Sequence, residues 1–257
     1  MMSGGRGAGR ARPHGGLPMT LHTDRAFAPL DPGQDLERIA GGNETEVYRT
    51  DDGRHVVKLK WDEGDTLPQA LARAREMRQT GAELAACLGP PHTIPSRYAL
   101  ARDSAGRIQV IVVQPYVAGA RPLHAVDYAA LSREERRRVA DQLVRIVRRA
   151  RAMYQQTGHM PDLYGRTSAD ATERRRLNGW RQLPWRLWSF LVARTLLRSH
   201  NLLLTEPPEC RVVLVDYDRV RRPWLYRRVY FTVRRLLFWR DLALVAWMRR
   251  GGRVPGR

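Results

Sequence analysis

Between about residue 36 and residue 116 the apolar positions come in short alternating runs parted by glycine-bearing turns, the pattern of antiparallel strands. A first strand, the turn at Gly41-Gly42, a second strand in EVYRT, a turn at Asp51-Asp52-Gly53 and a third strand in HVVKLK bring the chain to Lys60. Residues 67–88 switch to helical composition, ALARAREM and AELAACL, with a break expected at Gly81 and a stop at Gly89-Pro90-Pro91. Two further strands follow, RYALARD and RIQVIVVQPY, joined at Ser104-Ala105-Gly106. The expectation is a five-stranded antiparallel sheet crossed by one helix.

The pattern changes after Tyr116. Residues 117–126 form a connector containing Gly119 and Pro122. Ser132 precedes Glu135 by three, a capping-box spacing, and opens a long helix over about 133–156. HMPDLYG follows, then an Arg- and Trp-rich stretch, then two short strands in NLLL and RVVLVDYD, and finally a basic, aromatic helical segment. No internal repeat is present. The fold class is α+β, with strands in the first half and helices in the second.

The first 25 residues fall outside this pattern. They are rich in Gly and Arg and are expected to be a disordered tail. They lack the apolar run of a secretory signal. Two scattered cysteines, Cys87 and Cys210, make neither a disulfide framework nor a zinc site, so a reducing cytoplasm is the expected setting.

Charge sharpens the division. Residues 1–120 hold 15 basic and 14 acidic side chains, a net of +1, while residues 121–257 hold 30 and 12, a net of +18. Such an imbalance points the second half toward something anionic. Lys58 and Lys60 are the only lysines in an arginine-dominated chain. An ammonium kept on a strand is a compact point charge where arginine was otherwise used.

Several residues could serve phosphoryl transfer, which needs cations on phosphates, carboxylates on magnesium and a group to orient a hydroxyl. Gly41 and Gly42 allow close backbone approach to a phosphate, although taken alone the pair is better read as a plain hairpin turn. Lys58 ends the apolar strand below that turn. Glu83 or Glu76 on the following helix could pair with it, and Glu83 is favoured because the next strand begins at a suitable distance. Asp162 lies in a loop after the long helix, Asn201 heads a strand, and Asp216 ends one, where a rigid element would orient a magnesium ligand. Singly, each is as well read as a cap or a turn residue.

Taken in order, the glycine turn, strand lysine, helix glutamate, His-x-x-Asp-Leu, Asn-Leu-Leu-Leu and Val-Leu-Val-Asp-Tyr-Asp resemble the protein-kinase-like superfamily. HMPDLYG, HNLLL and VVLVDYD are most similar to small bacterial kinase-like proteins and the aminoglycoside and choline kinase branch. There the magnesium aspartate is followed by a pair other than Phe-Gly, as Tyr217-Asp218 follows Asp216 here. The resemblance covers about residues 36–222. It implies a two-lobed fold, with an N-lobe over 26–116 and a C-lobe over 117–257, binding ATP and Mg2+ between them. It also implies Lys58 on the phosphates, Asp162 as catalytic base, Asn201 and Asp216 on magnesium, and Gln114, Tyr116 and Val117 in the adenine-contacting hinge. The expected activity is transfer of the γ-phosphoryl group to a hydroxyl acceptor of unspecified class. The alternatives are an inactive pseudokinase that binds nucleotide or a partner, and a basic membrane- or nucleic-acid-binding protein.

The chain departs from the family in one respect. The family holds the catalytic aspartate and metal asparagine about five residues apart, whereas Asp162 and Asn201 are 39 apart. An insertion over about 166–199 must loop out and return, at a closure cost of about 2–3 kcal/mol. Residues 173–198 carry seven arginines and three tryptophans, and residues 219–250 carry ten arginines and three more. Trp185, Trp188, Leu191, Val192, Thr195 and Leu196 fall at helical spacing, so core packing is the first expectation for them. Contact with an anionic membrane surface, peripheral at its inner face, is the second. Nucleic acid ranks last, because no recognised binding motif is present.

Overall fold

The computed structural model describes residues 21–22, 37–41, 45–50, 52–60, 66–102, 106, 108–165, 188, 191–192, 194–217 and 224–252. Six strands form one sheet: β1 (Leu21–His22), β2 (Glu37–Gly41), β3 (Thr45–Arg49), β4 (His55–Lys60), β5 (Arg97–Arg102) and β6 (Ile108–Pro115). Their spatial order is β1-β5-β6-β4-β3-β2. The five from β2 to β6 pair antiparallel, as the alternating pattern predicts. The sixth, β1, pairs parallel with β5, with Leu21 opposite Leu100, inside the segment expected to be a disordered tail. Two residues give too short a run to announce a strand by periodicity.

Helix α1 (Leu67–Leu88) crosses this sheet. Gln69 Oε1 accepts the Thr66 amide at 3.0 Å to cap its start, and Gly89, at φ +79°, ends it. Ala70, Ala74, Met77, Gly81, Leu84 and Leu88 are all buried and recur every three or four residues. Ala70, Ala74 and Met77 pack on Leu100, Val110 and Val112 of the sheet, while Leu84 and Leu88 join the core of the second half. The break expected at Gly81 is absent. A Cβ there would collide with the Tyr98 hydroxyl, so this glycine permits close helix–sheet packing.

The second half is built on two long helices, α2 (Arg133–Thr157) and α3 (Trp224–Arg249). The Ser132 hydroxyl accepts the Glu135 amide at 3.2 Å, and Glu135 returns a bond to the Ser132 amide at 2.7 Å. Both arms of the predicted capping box are therefore made. Val139, Leu143, Ile146 and Val147 of α2 share one core with Phe231, Phe238, Val245 and Met248 of α3. Burying each such side chain contributes about 1.5–3 kcal/mol. A small three-stranded sheet of β7 (Arg121–Pro122), β8 (Leu202–Leu204) and β9 (Val212–Leu214) sits beside them. The molecule is thus an α+β, two-lobed, kinase-like fold.

Candidate active site

The small sheet brings distant segments together. Leu202 pairs with Leu214 across β8 and β9, and the Val215 amide donates to the Asn201 carbonyl at 3.0 Å. Asp216 therefore stands one residue beyond a rung shared with Asn201. From the large sheet, the Lys58 ammonium donates to the Val215 carbonyl. Gln114, buried on β6, donates to that same carbonyl at 3.2 Å and to Ser96 Oγ at 2.8 Å. Two side chains of the strand-rich half thus converge on the backbone next to Asp216.

Asn201 also closes the gap to Asp162. Its Nδ2 donates to the Asp162 carbonyl at 2.8 Å, 39 residues away in sequence. Two more bonds fasten the same two segments: His200 N donates to Tyr164 O at 2.8 Å, and Ser199 Oγ donates to Leu163 O at 2.6 Å. Ser199 Oγ in turn accepts Asn201 N at 3.1 Å. Gly165, at φ +65°, completes the fit, because a Cβ there would strike the Asn201 carboxamide. The insertion leaves and returns without separating the two residues it divides.

Asp162 is held from both sides. Its Oδ1 accepts the Tyr164 amide at 3.1 Å and lies 3.5 Å from the Tyr230 hydroxyl of α3. Beneath it, the Tyr164 hydroxyl donates to Asp241 Oδ2 at 2.5 Å, and the Arg234 guanidinium sits 3.8 Å above the Tyr164 ring centroid. Arg240 Nη2 donates to Asp241 Oδ1 at 2.9 Å. Tyr164 is nearly, and Arg234 and Asp241 wholly, removed from solvent. Burial pushes the Tyr164 phenol well above its ordinary pKa, and the adjacent Asp241 charge adds to the rise. The sequence held one signal of this network: Asp241 is the sole acid among residues 219–250. An acid alone among arginines on an apolar helix belongs in a buried pair.

Tyr217, the residue after Asp216, is an anchor. Its hydroxyl accepts Ile94 N at 2.5 Å and donates to Ile94 O at 2.9 Å, and burial pushes its pKa up to about 12. His92 Nδ1 lies 2.9 Å from Val212 O and fastens the other end of the strand. Asp216 is therefore carried on a backbone pinned at residues 212, 215 and 217.

The other expected positions fare differently. Gly41 ends β2 opposite Glu46, while Gly42 lies outside the described residues, as do Trp185 and Asp218. Glu83 accepts the Gln79 amide at 3.1 Å on the half-buried side of α1, and Glu76 is exposed. The hinge is partly spent. Pro115 has no N–H, and the Tyr116 N–H donates to Arg54 O at 2.7 Å. Val117 offers the backbone donor left in that segment. Trp188, Leu191 and Val192 do not cover a core: they are 57%, 38% and 46% exposed, whereas Leu196 is fully buried.

A strand lysine above a small sheet that carries an asparagine and an aspartate, with a second aspartate on a loop tied to that asparagine, defines a kinase-like phosphotransferase architecture. Residues 35–256 match the model of the phosphotransferase enzyme family, and the chain belongs to that family. Among solved structures it is similar to an apo pseudokinase, with a TM-score of 0.38 and 11% identity over 83% of this chain and 65% of that one. It is also similar to an aminoglycoside phosphotransferase from Streptomyces rimosus, with a TM-score of 0.37 and 15% identity over 88% of this chain and 87% of that one. The chain thus spans under two thirds of the pseudokinase's length. No curated protein matches the sequence.

Proposed function

We propose that the protein transfers the γ-phosphoryl group of ATP to a hydroxyl acceptor. The observation that supports this reading is the continuous bonded run from Lys58 through Val215 and Asn201 to Asp162. It joins a cation, the backbone bearing a strand-end carboxylate, an amide and a loop carboxylate across three distant stretches of sequence. Structural packing alone has little need of a lysine there, since an ammonium taken from water is costly unless it is used.

Asp216 and Asn201 would hold magnesium. The fit rests on donor chemistry: Asn201 spends its Nδ2 on Asp162 O, leaving Oδ1 as an acceptor, and an all-oxygen donor pair suits a hard cation. When bound, magnesium neutralises charge on the phosphate oxygens. Lys58 would orient the phosphates by moving from the Val215 carbonyl. Asp162, fixed by the Tyr164 amide, would accept the proton of the attacking hydroxyl at its free carboxylate oxygen. The Val117 amide would meet the adenine.

The test pairs nucleotide binding with turnover. Wild-type protein should bind Mg-ATP and, even without its acceptor, slowly transfer the γ-phosphoryl group to water, releasing ADP and phosphate. Asp216→Asn should lower that rate by about 10²-fold or more while leaving the melting temperature nearly unchanged. Full turnover by Asp216→Asn sinks the assignment. Nucleotide binding without turnover in the wild type marks a pseudokinase.

A further inference from the structure

The outward face of α3 is apolar along most of its length. Val229, Leu236, Trp239, Ala243 and Trp247 are exposed, with Leu236 at 61% and Trp239 at 63%. With exposed Thr232 and Arg250 they recur every three or four residues and so form one stripe. The opposite side of the helix buries Phe231, Phe238 and Val245 in the core. A helix that is apolar on both sides calls for two partners; among the described residues the core covers one side, and on the other the Arg151 guanidinium lies 5.2 Å from the Trp239 ring centroid.

Two features adjoin the stripe. Arg240 donates to the Leu191 carbonyl and, at 2.7 Å, to the Arg194 carbonyl, which sets the segment of exposed Trp188, Leu191 and Val192 beside α3. At the C-terminal end of the helix, a half-open cleft of about 500 Å³ is lined by Arg133, Arg136 and Arg137 of α2 together with Ala246, Arg249 and Arg250. Arg250 therefore belongs to both cleft and stripe. Arg136 donates through Nη1 to Leu131 O, but its buried Nε meets no hydrogen-bond acceptor. Nearby acids offset this charge only in part. Asp141 lies 3.3 Å from Arg249, Glu134 pairs with Arg138, and Glu135 is bonded into the helix cap.

We infer that the outer stripe of α3 and the arginine cleft at its end dock this protein on an anionic phospholipid surface. Charge complementarity and apolar exposure select that occupant together. A nucleic acid would engage the arginines but gain little from Leu236 or Val192. An apolar protein face would engage the stripe but offer no anion to Arg133, Arg136, Arg137 and Arg250. A bilayer interface accepts both, with indole rings at headgroup depth and guanidinium groups on phosphates. No described helix is long and apolar enough to cross a membrane, so α3 would lie along the surface. Tyr230, Arg234 and Asp241 face the other way, so docking leaves the Asp162 segment uncovered. The inference does not depend on the catalytic reading.

The test is co-sedimentation of the full chain with phosphatidylcholine vesicles and with vesicles containing about one third phosphatidylglycerol. At 0.15 M salt, where the Debye length is about 8 Å, the protein should pellet with the anionic vesicles and not the neutral ones. A Leu236→Ser, Trp239→Ser, Trp247→Ser variant should bind at least tenfold more weakly. An Arg136→Gln, Arg137→Gln, Arg250→Gln variant should lose about 100-fold, near fivefold per charge. Both variants change exposed or cleft-lining side chains, and their melting temperatures verify folding. Failure of the wild type to bind anionic vesicles overturns the inference. So does binding that survives the serine substitutions, or heparin binding that matches vesicle binding and ignores them, since either is charge attraction alone. A dimer in sedimentation velocity that the serine variant dissolves also overturns it, because a second copy would then cover the stripe.

Discussion

At the scale of single residues, the site depends on a few close approaches. Gly165 is the sharpest case, since its positive φ and its contact with the Asn201 carboxamide both exclude a side chain. Gly165→Ala should cost about 1–3 kcal/mol in stability and lower turnover more than any substitution at Gly53, which a Cβ would not crowd. Urea melts and a single-turnover assay of both variants check this. His200 makes a second residue-scale prediction. Its ring centroid lies 3.8 Å from that of His124, with the rings tilted by 31°, and burial first, then the His124 charge, pushes its pKa down to about 4. The unfolded imidazole titrates near 6.5. Between those values the unfolded chain binds more protons, so stability present above about pH 6.5 is lost as pH falls toward 4. His92, likewise lowered by burial, adds a slope of the same sign. Melting temperatures from pH 7 to pH 4.5 should fall in the wild type and fall less steeply in His200→Asn.

At the scale of elements, the capping box of α2 is worth isolating, because both of its bonds are present and its serine is exposed. Ser132→Ala should cost about 1 kcal/mol, read as a shift in the urea midpoint with an unchanged slope. This cap shows which features the sequence makes legible. Ser132 and Glu135 declare themselves by spacing, as do the alternating strands β2 to β6, because local geometry decides them. Lys58, Asn201 and Asp216 could be ordered along the chain for the same reason: each sits at the end or edge of a short apolar run. Gly81 misleads, since a helix glycine reads as a break until the Tyr98 hydroxyl above it is seen. The pairing of β1 and the bonds from Ser199, His200 and Asn201 back to residues 162–164 depend on partners far off in sequence, and no period announces them. The exposure of Trp188 and Leu191 was hidden for a related reason. Helical spacing shows that a face exists but not which side of the molecule it meets.

At the scale of the whole molecule, the two halves meet through a shared apolar core, to which Leu84 and Leu88 of α1 belong, and through polar links. Lys58 and Gln114 reach from the large sheet to the Val215 carbonyl, and Tyr217 reaches back to Ile94. A ligand that bridges Lys58 and Asp216 would add to these links and bind the folded chain alone. Linkage then fixes the size of the effect: at 100 times its dissociation constant such a ligand stabilises by about 2.7 kcal/mol. For a chain of this length, 1 kcal/mol moves the melting temperature by about 2–4 °C. Mg-ATP at that excess should therefore raise the wild-type melting temperature by about 5–11 °C. Lys58→Met should remove most of the shift with and without magnesium, because under the proposed function the ammonium would meet phosphate directly. Asp216→Asn should remove only the part that magnesium adds, so its shift should equal that of the wild type in ATP with EDTA. An identical shift in all three proteins would mean that nucleotide binds elsewhere, and an absent shift in the wild type would exclude ATP as its ligand. The pattern across the three proteins separates a site that holds nucleotide through cation and metal together from one that holds it by charge alone.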